Sequence, residues 1–97
     1  MEEVSLEEIQ KVSQIFKVLS DPTRLKIVLT IEAEEKNVTT IAQEVNMEQP
    51  AVSHQLKLLR DNRVVRSRRM GKSILYTVDD DHVLDILQQT FNHIKHH

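Results

Sequence analysis

The sequence predicts a mainly α-helical single domain with one small β-hairpin, a winged helix-turn-helix. Three observations lead there. Apolar residues recur at helical spacing along most of the chain, and the period shortens to two only between Val64 and Val78. The chain's only glycine, Gly71, sits inside that short-period stretch, where a hairpin tip needs positive φ. Ninety-seven residues with two prolines, 3% aromatics and no tryptophan fit one small, loop-poor domain with an aliphatic core. No internal repeat or low-complexity segment interrupts it.

The elements follow in order. Ile9, Val12, Ile15, Phe16 and Leu19 recur at helical spacing and predict a first helix over Leu6–Leu19. Ser20-Asp21-Pro22 ends it. Asp21 can cap the next helix and Pro22 suits its first position. The second helix carries Leu25, Ile27, Val28, Leu29 and Ile31 and ends near the acidic stretch Glu32–Lys36. A short third helix is expected over Thr39–Val45, with Thr39 as its N-cap. Asn46 then supplies the left-handed residue of a tight turn. Pro50 opens a fourth helix to Asp61, which turns Val52, Leu56 and Leu59 inward and Ser53, His54 and Lys57 outward. Val64–Arg69 and Ser73–Val78 read as the two strands of the wing. The last helix starts at the Asp79–Asp81 run and continues to the C-terminus. The organisation is therefore residues 39–61 as helix-turn-helix, 64–78 as wing and 79–97 as last helix, within one domain.

Composition narrows the function classes. The chain has no cysteine, which excludes disulfides, thiolate metal sites and cysteine nucleophiles. No apolar run approaches the roughly 20 residues that span a bilayer, and the acidic start MEEVSLEEIQ has no secretory character. A soluble, cytoplasmic protein with no membrane partner is expected. No nucleophile–base pair stands out, so no enzyme activity and no small organic substrate are expected.

Net charge is only −2, yet the charges are segregated. Lys57, Arg60, Arg63, Arg66, Arg68, Arg69 and Lys72 are seven of the 13 Lys and Arg residues, and they face one acid, Asp61, in that stretch. The acids gather at Glu2, Glu3, Glu7 and Glu8, at Glu32, Glu34 and Glu35, and at Asp79, Asp80, Asp81 and Asp85. A local basic patch binds phosphate whatever the global sign. Double-stranded DNA is the expected partner, with the fourth helix in the major groove and the wing at phosphates or the minor groove. Gln49, Ser53, His54 and Lys57 on the helix, and Arg66, Arg68, Arg69 and Lys72 on the wing, are the candidate contacts. The bland alternative is a solvated charged face.

Four of the five histidines lie in the last sixteen residues. On one helix, His82 and His93 share a face to within roughly 20° but stand about 16 Å apart along the axis, and His96 stays within about 40° of the same stripe. No single ion reaches both ends of one such helix, because Zn–N bonds are only about 2 Å. If a second copy packs antiparallel, Asp80 and His82 of one chain meet His93 and His96 of the other, twice per dimer. Singly, each residue has a bland reading: Asp80 as helix cap, the histidines as surface or terminal groups. Together, one carboxylate and three imidazoles form a donor set that suits tetrahedral Zn²⁺, with Co²⁺ as a close mimic. His97 is a spare donor, left outside the set.

Leu19-Ser20-Asp21-Pro22-Thr23-Arg24-Leu25-Lys26-Ile27 resembles the opening motif of the ArsR/SmtB family of metal-responsive repressors. Gln49–Leu59 resembles that family's recognition helix, and Arg68-Arg69-Met70-Gly71-Lys72 followed by Tyr76 resembles its wing. The resemblance implies a homodimer, joined through its first and last helices, that binds operator DNA without metal and leaves it when the effector binds. It implies control of metal efflux. Asp80-Asp81-His82 and His93-Ile94-Lys95-His96 carry the last-helix ligand pattern of CzrA-type zinc/cobalt sensors, whereas the third helix lacks the cysteines of the thiolate class. One departure stands out: Arg63-Val64-Val65 replaces the Gly-Leu-Val that often precedes the first wing strand. The alternative is the same fold answering Ni²⁺, Co²⁺ or a non-metal signal.

Overall fold

The computed structural model describes residues 3–97. Five helices, α1 (Leu6–Leu19), α2 (Pro22–Ile31), α3 (Val38–Val45), α4 (Gln49–Asp61) and α5 (Asp81–Lys95), are joined by three strands, β1 (Lys36–Asn37), β2 (Val65–Met70) and β3 (Ser73–Val78). The expected winged helix-turn-helix is present. The short strand β1 is an addition: two residues carry no readable period.

Local chemistry explains the boundaries. Ser5 and Glu8 form a reciprocal capping box at the start of α1. Asp21 caps α2 by accepting from the Arg24 backbone N–H at 3.0 Å, and Pro22 occupies its first turn. The cap of α3 is Asn37, not the expected Thr39. Its side chain accepts from the Thr40 backbone N–H at 2.9 Å, so the helix starts one residue earlier, at Val38. The last helix starts within the aspartate run, as expected, with Asp80 as its cap and Asp81 as its first residue, but it ends at Lys95 rather than at the C-terminus.

Two helices end the same way. Asn46 (φ 57°) and Arg63 (φ 58°) both adopt the left-handed conformation. After α3, Met47 N–H donates to Ala42 C=O at 3.0 Å; after α4, Val64 N–H donates to Leu59 C=O at 2.9 Å. Both are the closing bonds of Schellman turns, whose left-handed position usually holds glycine. Asparagine tolerates it; arginine occupies it here against its sterics.

The sheet runs in the order β1-β3-β2, all antiparallel. Lys36 pairs with Tyr76, and Val65 pairs with Val78 at the base of the hairpin. The core joins Val18, Leu19, Ile27, Val28, Ile31, Ile41, Val52, Leu56, Leu59, Val64, Val65, Val78, Val83 and Leu87. It is aliphatic, as the composition requires. One apolar face is left open: Leu6, Ile9, Val12 and Phe16 of α1 are each at least half exposed. Only Val18 and Leu19, at the end of α1, are buried.

Candidate DNA interface and ligand-bearing helix

The helix-turn-helix is built by burying one face of α4 completely. Val52, Leu56 and Leu59 have no exposed surface, which fixes the rotation of α4 and turns Gln49, Ser53, His54 and Lys57 to solvent. Lys57 also pairs with Asp61 one turn on, at 2.9 Å. Gln55, half-buried beside the packed face of α4, is held from within. Arg24 donates from Nη1 to Gln55 Oε1 at 3.2 Å and from Nε to the Val18 carbonyl at 2.7 Å. One guanidinium thus ties the end of α1 to the middle of α4. The sequence marked Arg24 only as part of a motif; its reach of 31 positions to Gln55 has no local signal.

The wing presents its cations on two faces. Strand alternation puts Arg66 and Arg68 on one face and Arg69 with the buried Val65 on the other. Lys72 follows Gly71, whose φ of 63° forms the tip. Arg66, Arg69 and Lys72 have no carboxylate within 4 Å among the described residues. Arg68 does: it makes a two-pronged pair with Glu35, with Nε 2.8 Å from Oε2 and Nη2 bonded to Oε1. The Arg68 hydrogen bond holds the Glu35 carboxyl below the usual carboxylate range. Glu35 belongs to the acidic run seen in the sequence, but nothing there pointed to its partner.

The four proposed metal donors divide between the two ends of α5. At its start, Asp80 Oδ1 accepts from the His82 backbone N–H at 2.9 Å and lies 3.4 Å from His82 Nδ1. That backbone hydrogen bond, first among several contacts to His82, holds the Asp80 carboxyl below its usual range and favours the ionised form. Capping employs one carboxylate oxygen, so cap and ligand are compatible roles. At the other end, His93 and His96 are exposed, and the His97 ring lies 4.4 Å from that of His93. His96 is the C-cap rather than a helical residue.

Among the described residues, no three His, Cys, Asp or Glu side chains of one protomer are grouped to hold a metal. Val83 and Leu87 turn the opposite side of α5 to the core. His82, Ile86, Gln89, His93 and His96 therefore form one exposed stripe, spread over about 80° of the helix. The donor chemistry fits Zn²⁺: a carboxylate favoured as the anion beside exposed imidazoles with no hydrogen-bond partner among the described residues except the Asp80–His82 contact.

No helix among the described residues is long and apolar enough to cross a membrane. A family model described as "Bacterial regulatory protein, arsR family" matches residues 21–67. The chain is 33% identical over 94 residues to a "Transcriptional repressor SmtB homolog" of Synechocystis sp., covering 97% of this chain and 71% of that protein. It is 37% identical over 86 residues to the HTH-type transcriptional regulator NmtR of Mycobacterium tuberculosis, covering 89% and 72%. The solution structure of apo-NmtR superposes with a TM-score of 0.81 at 33% identity, covering all of this chain and 82% of that one. A homodimeric winged helix-turn-helix DNA-binding domain, Mb0332 of Mycobacterium bovis, superposes with a TM-score of 0.88 over 100% and 93% of the two chains; at 23% identity it speaks for the fold alone.

Proposed function

This chain belongs to the arsR family of bacterial regulatory proteins, and on that premise we propose that it is a metal-responsive repressor acting as a homodimer. Its two α4 helices read successive major-groove faces of an operator through Gln49, Ser53, His54 and Lys57. Arg66, Arg69 and Lys72 hold the flanking phosphates, whereas the Arg68 guanidinium is already engaged by Glu35. The open apolar face of α1 and the exposed stripe of α5 form the dimer seam. Asp80 and His82 of one protomer join His93 and His96 of the other, giving two equivalent sites per dimer.

The observation that carries this reading is the division of donors between the ends of one exposed helix face. Asp80, His82, His93 and His96 would hold Zn²⁺, with Co²⁺ as mimic, and the ion would join the two α5 helices; a donor set supplied wholly by protein side chains suits a regulatory and not a catalytic role. The residues do the rest. In the metal-bound dimer, ring nitrogens of the ligand histidines that face away from the donor set would hydrogen-bond the Asn62–Val64 segment and so couple α5 to the end of α4. Joining the two α5 helices fixes a spacing of the α4 helices that no longer fits the operator. The relatives suggest a metal-resistance operon as the target: one is named a "Cadmium resistance transcriptional regulatory protein CadC homolog".

A titration of operator duplex with and without Zn²⁺ tests this. Zinc should weaken operator binding, and operator should weaken zinc binding by the same factor. Equal affinity in both conditions defeats the proposal. His93→Ala should abolish the zinc response and leave metal-free DNA binding intact. A second reading, Ni²⁺ or Co²⁺ in an expanded site, draws on the nearness of His97 to His93. Competition between the metals, followed in wild type and His97→Ala, separates the two.

A further inference from the structure

We propose that Arg68 is a wing-positioning residue: its two-pronged pair with Glu35 straps the hairpin to the loop after α2 and sets the angle at which Arg69 and Lys72 meet DNA. The proposal rests on the DNA-binding reading above and deepens it. The hairpin needs such a strap. Between Val65 and Val78, which are buried at its base, no residue of the wing is buried. A two-stranded ribbon alone is marginally stable in water, and the third strand, β1, supports only two residues of it, through Lys36–Tyr76 and Asn37–Leu75.

The geometry supplies the strap. Arg68 pairs across the sheet with Leu75, and Leu75 with Asn37, so β3 lies between the guanidinium's strand and the chain entering β1. The Arg68–Glu35 pair crosses β3 and joins the two outer edges. Glu35 is two residues before Asn37, which lies opposite Leu75, so the guanidinium leans toward the base of the hairpin and away from the tip at Gly71. A fork of parallel N–H···O bonds fixes direction as well as distance. The same guanidinium lies 3.9 Å from Met70 Sδ, which braces the far end of β2. Arg68 is also the one wing cation with a carboxylate partner among the described residues. An acid placed against a phosphate-binding surface opposes DNA unless it orders the cations that remain.

The competing role for Arg68 is direct phosphate contact, with Glu35 as its rival. The two predict opposite signs. The probe is a duplex selected from a randomised DNA pool by the wild-type protein, titrated at several salt concentrations with wild type, Glu35→Gln, Arg68→Gln and the double variant. As a strap, either single change weakens binding by about two- to fivefold, the range of an exposed ion pair. The double variant is no worse than either single, and the salt slope stays at the wild-type value. If Arg68 holds a phosphate, Glu35→Gln tightens binding and Arg68→Gln lowers the slope by about 0.9 per protomer, about 1.8 for the dimer; either result overturns the proposal, as does unchanged affinity in both singles. If the wild type selects no duplex, the DNA-binding reading itself fails. Thermal melts should show all four proteins folded at the assay temperature, with shifts no larger than one exposed ion pair accounts for, so that lost affinity is not lost fold.

Discussion

Arg63 occupies a conformation its side chain disfavours. Its φ of 58° closes the Schellman turn that ends α4 and places Val64 in the core. For L-residues this region costs about 1–2 kcal/mol, whereas glycine enters it freely and loses only chain entropy of about 0.5–1 kcal/mol. Arg63→Gly should therefore stabilise the protein by up to about 1 kcal/mol, read as a higher melting temperature at fixed protein concentration. A lower melting temperature would show that the arginine side chain makes a compensating contact. The sequence flagged this turn through the absence of glycine, but it did not reveal that the left-handed geometry is kept. Asn37 is the complementary case. Thr39 looked like the cap of α3, since threonine also caps helices; only the pairing of β1 with β3 brings Asn37 to that place. Asn37→Ala should cost about 1 kcal/mol, the usual loss of a cap, and Thr39→Ala far less. Glu35 gives a pH test. Its carboxyl is depressed by Arg68, so the pair's stabilisation is fully present above the ordinary carboxylate range and is lost as pH falls through the depressed value. The difference in melting temperature between wild type and Glu35→Gln should hold from neutral pH down to about pH 5 and vanish in stronger acid.

At the scale of elements, periodicity carried most of the information. The bounds of α1 and β3 coincide with those expected, because their apolar positions and flanking punctuation agree. β1 escaped because two residues cannot display a period and its partner is 40 positions away. The helix α1 shows what periodicity cannot settle alone. Its apolar positions span two faces: Ile15, Val18 and Leu19 pack on the core, while Leu6, Ile9, Val12 and Phe16 are exposed. Read as one amphipathic helix, all of them belong to a core. In the protomer, half of them await another surface. Each large apolar side chain covered there contributes about 2 kcal/mol, and a twofold seam counts each one twice. Phe16→Glu should therefore raise the dimer dissociation constant by at least about 100-fold, measured by sedimentation. Operator affinity and zinc binding should fall with it, because the proposed function places both on two chains. A Phe16→Glu protein that remains dimeric would move the seam away from α1.

The whole molecule connects two surfaces of opposite character: a basic stretch from His54 to Lys72 and an acidic, histidine-bearing helix that begins at Asp81. The sequence displayed both, because charge and donor spacing are one-dimensional facts. The pairings that order the basic region were not legible, since Arg24 meets Gln55, and Arg68 meets Glu35, only after the chain folds. The donors impose a further logic on the dimer. In the proposed arrangement each site takes Asp80 and His82 from one chain and His93 and His96 from the other, so a variant lacking His82 and a variant lacking His93 would be defective in different halves. Homodimers of either bind no zinc at the four-donor site. In a mixed dimer, one site would lose His82 and His93 at once, while the other would draw His82 from one chain and His93 from its partner and be intact. Mixing His82→Ala and His93→Ala proteins under exchange should thus restore one high-affinity zinc per heterodimer, about half the wild-type stoichiometry across the heterodimer population. A site contained within a single chain gives no restoration at any mixing ratio. If metal and operator binding are linked as proposed, reciprocity requires the restored heterodimer to regain part of the zinc-induced loss of operator affinity. That partial recovery, absent from either parent, ties the shared site to the DNA response in one measurement.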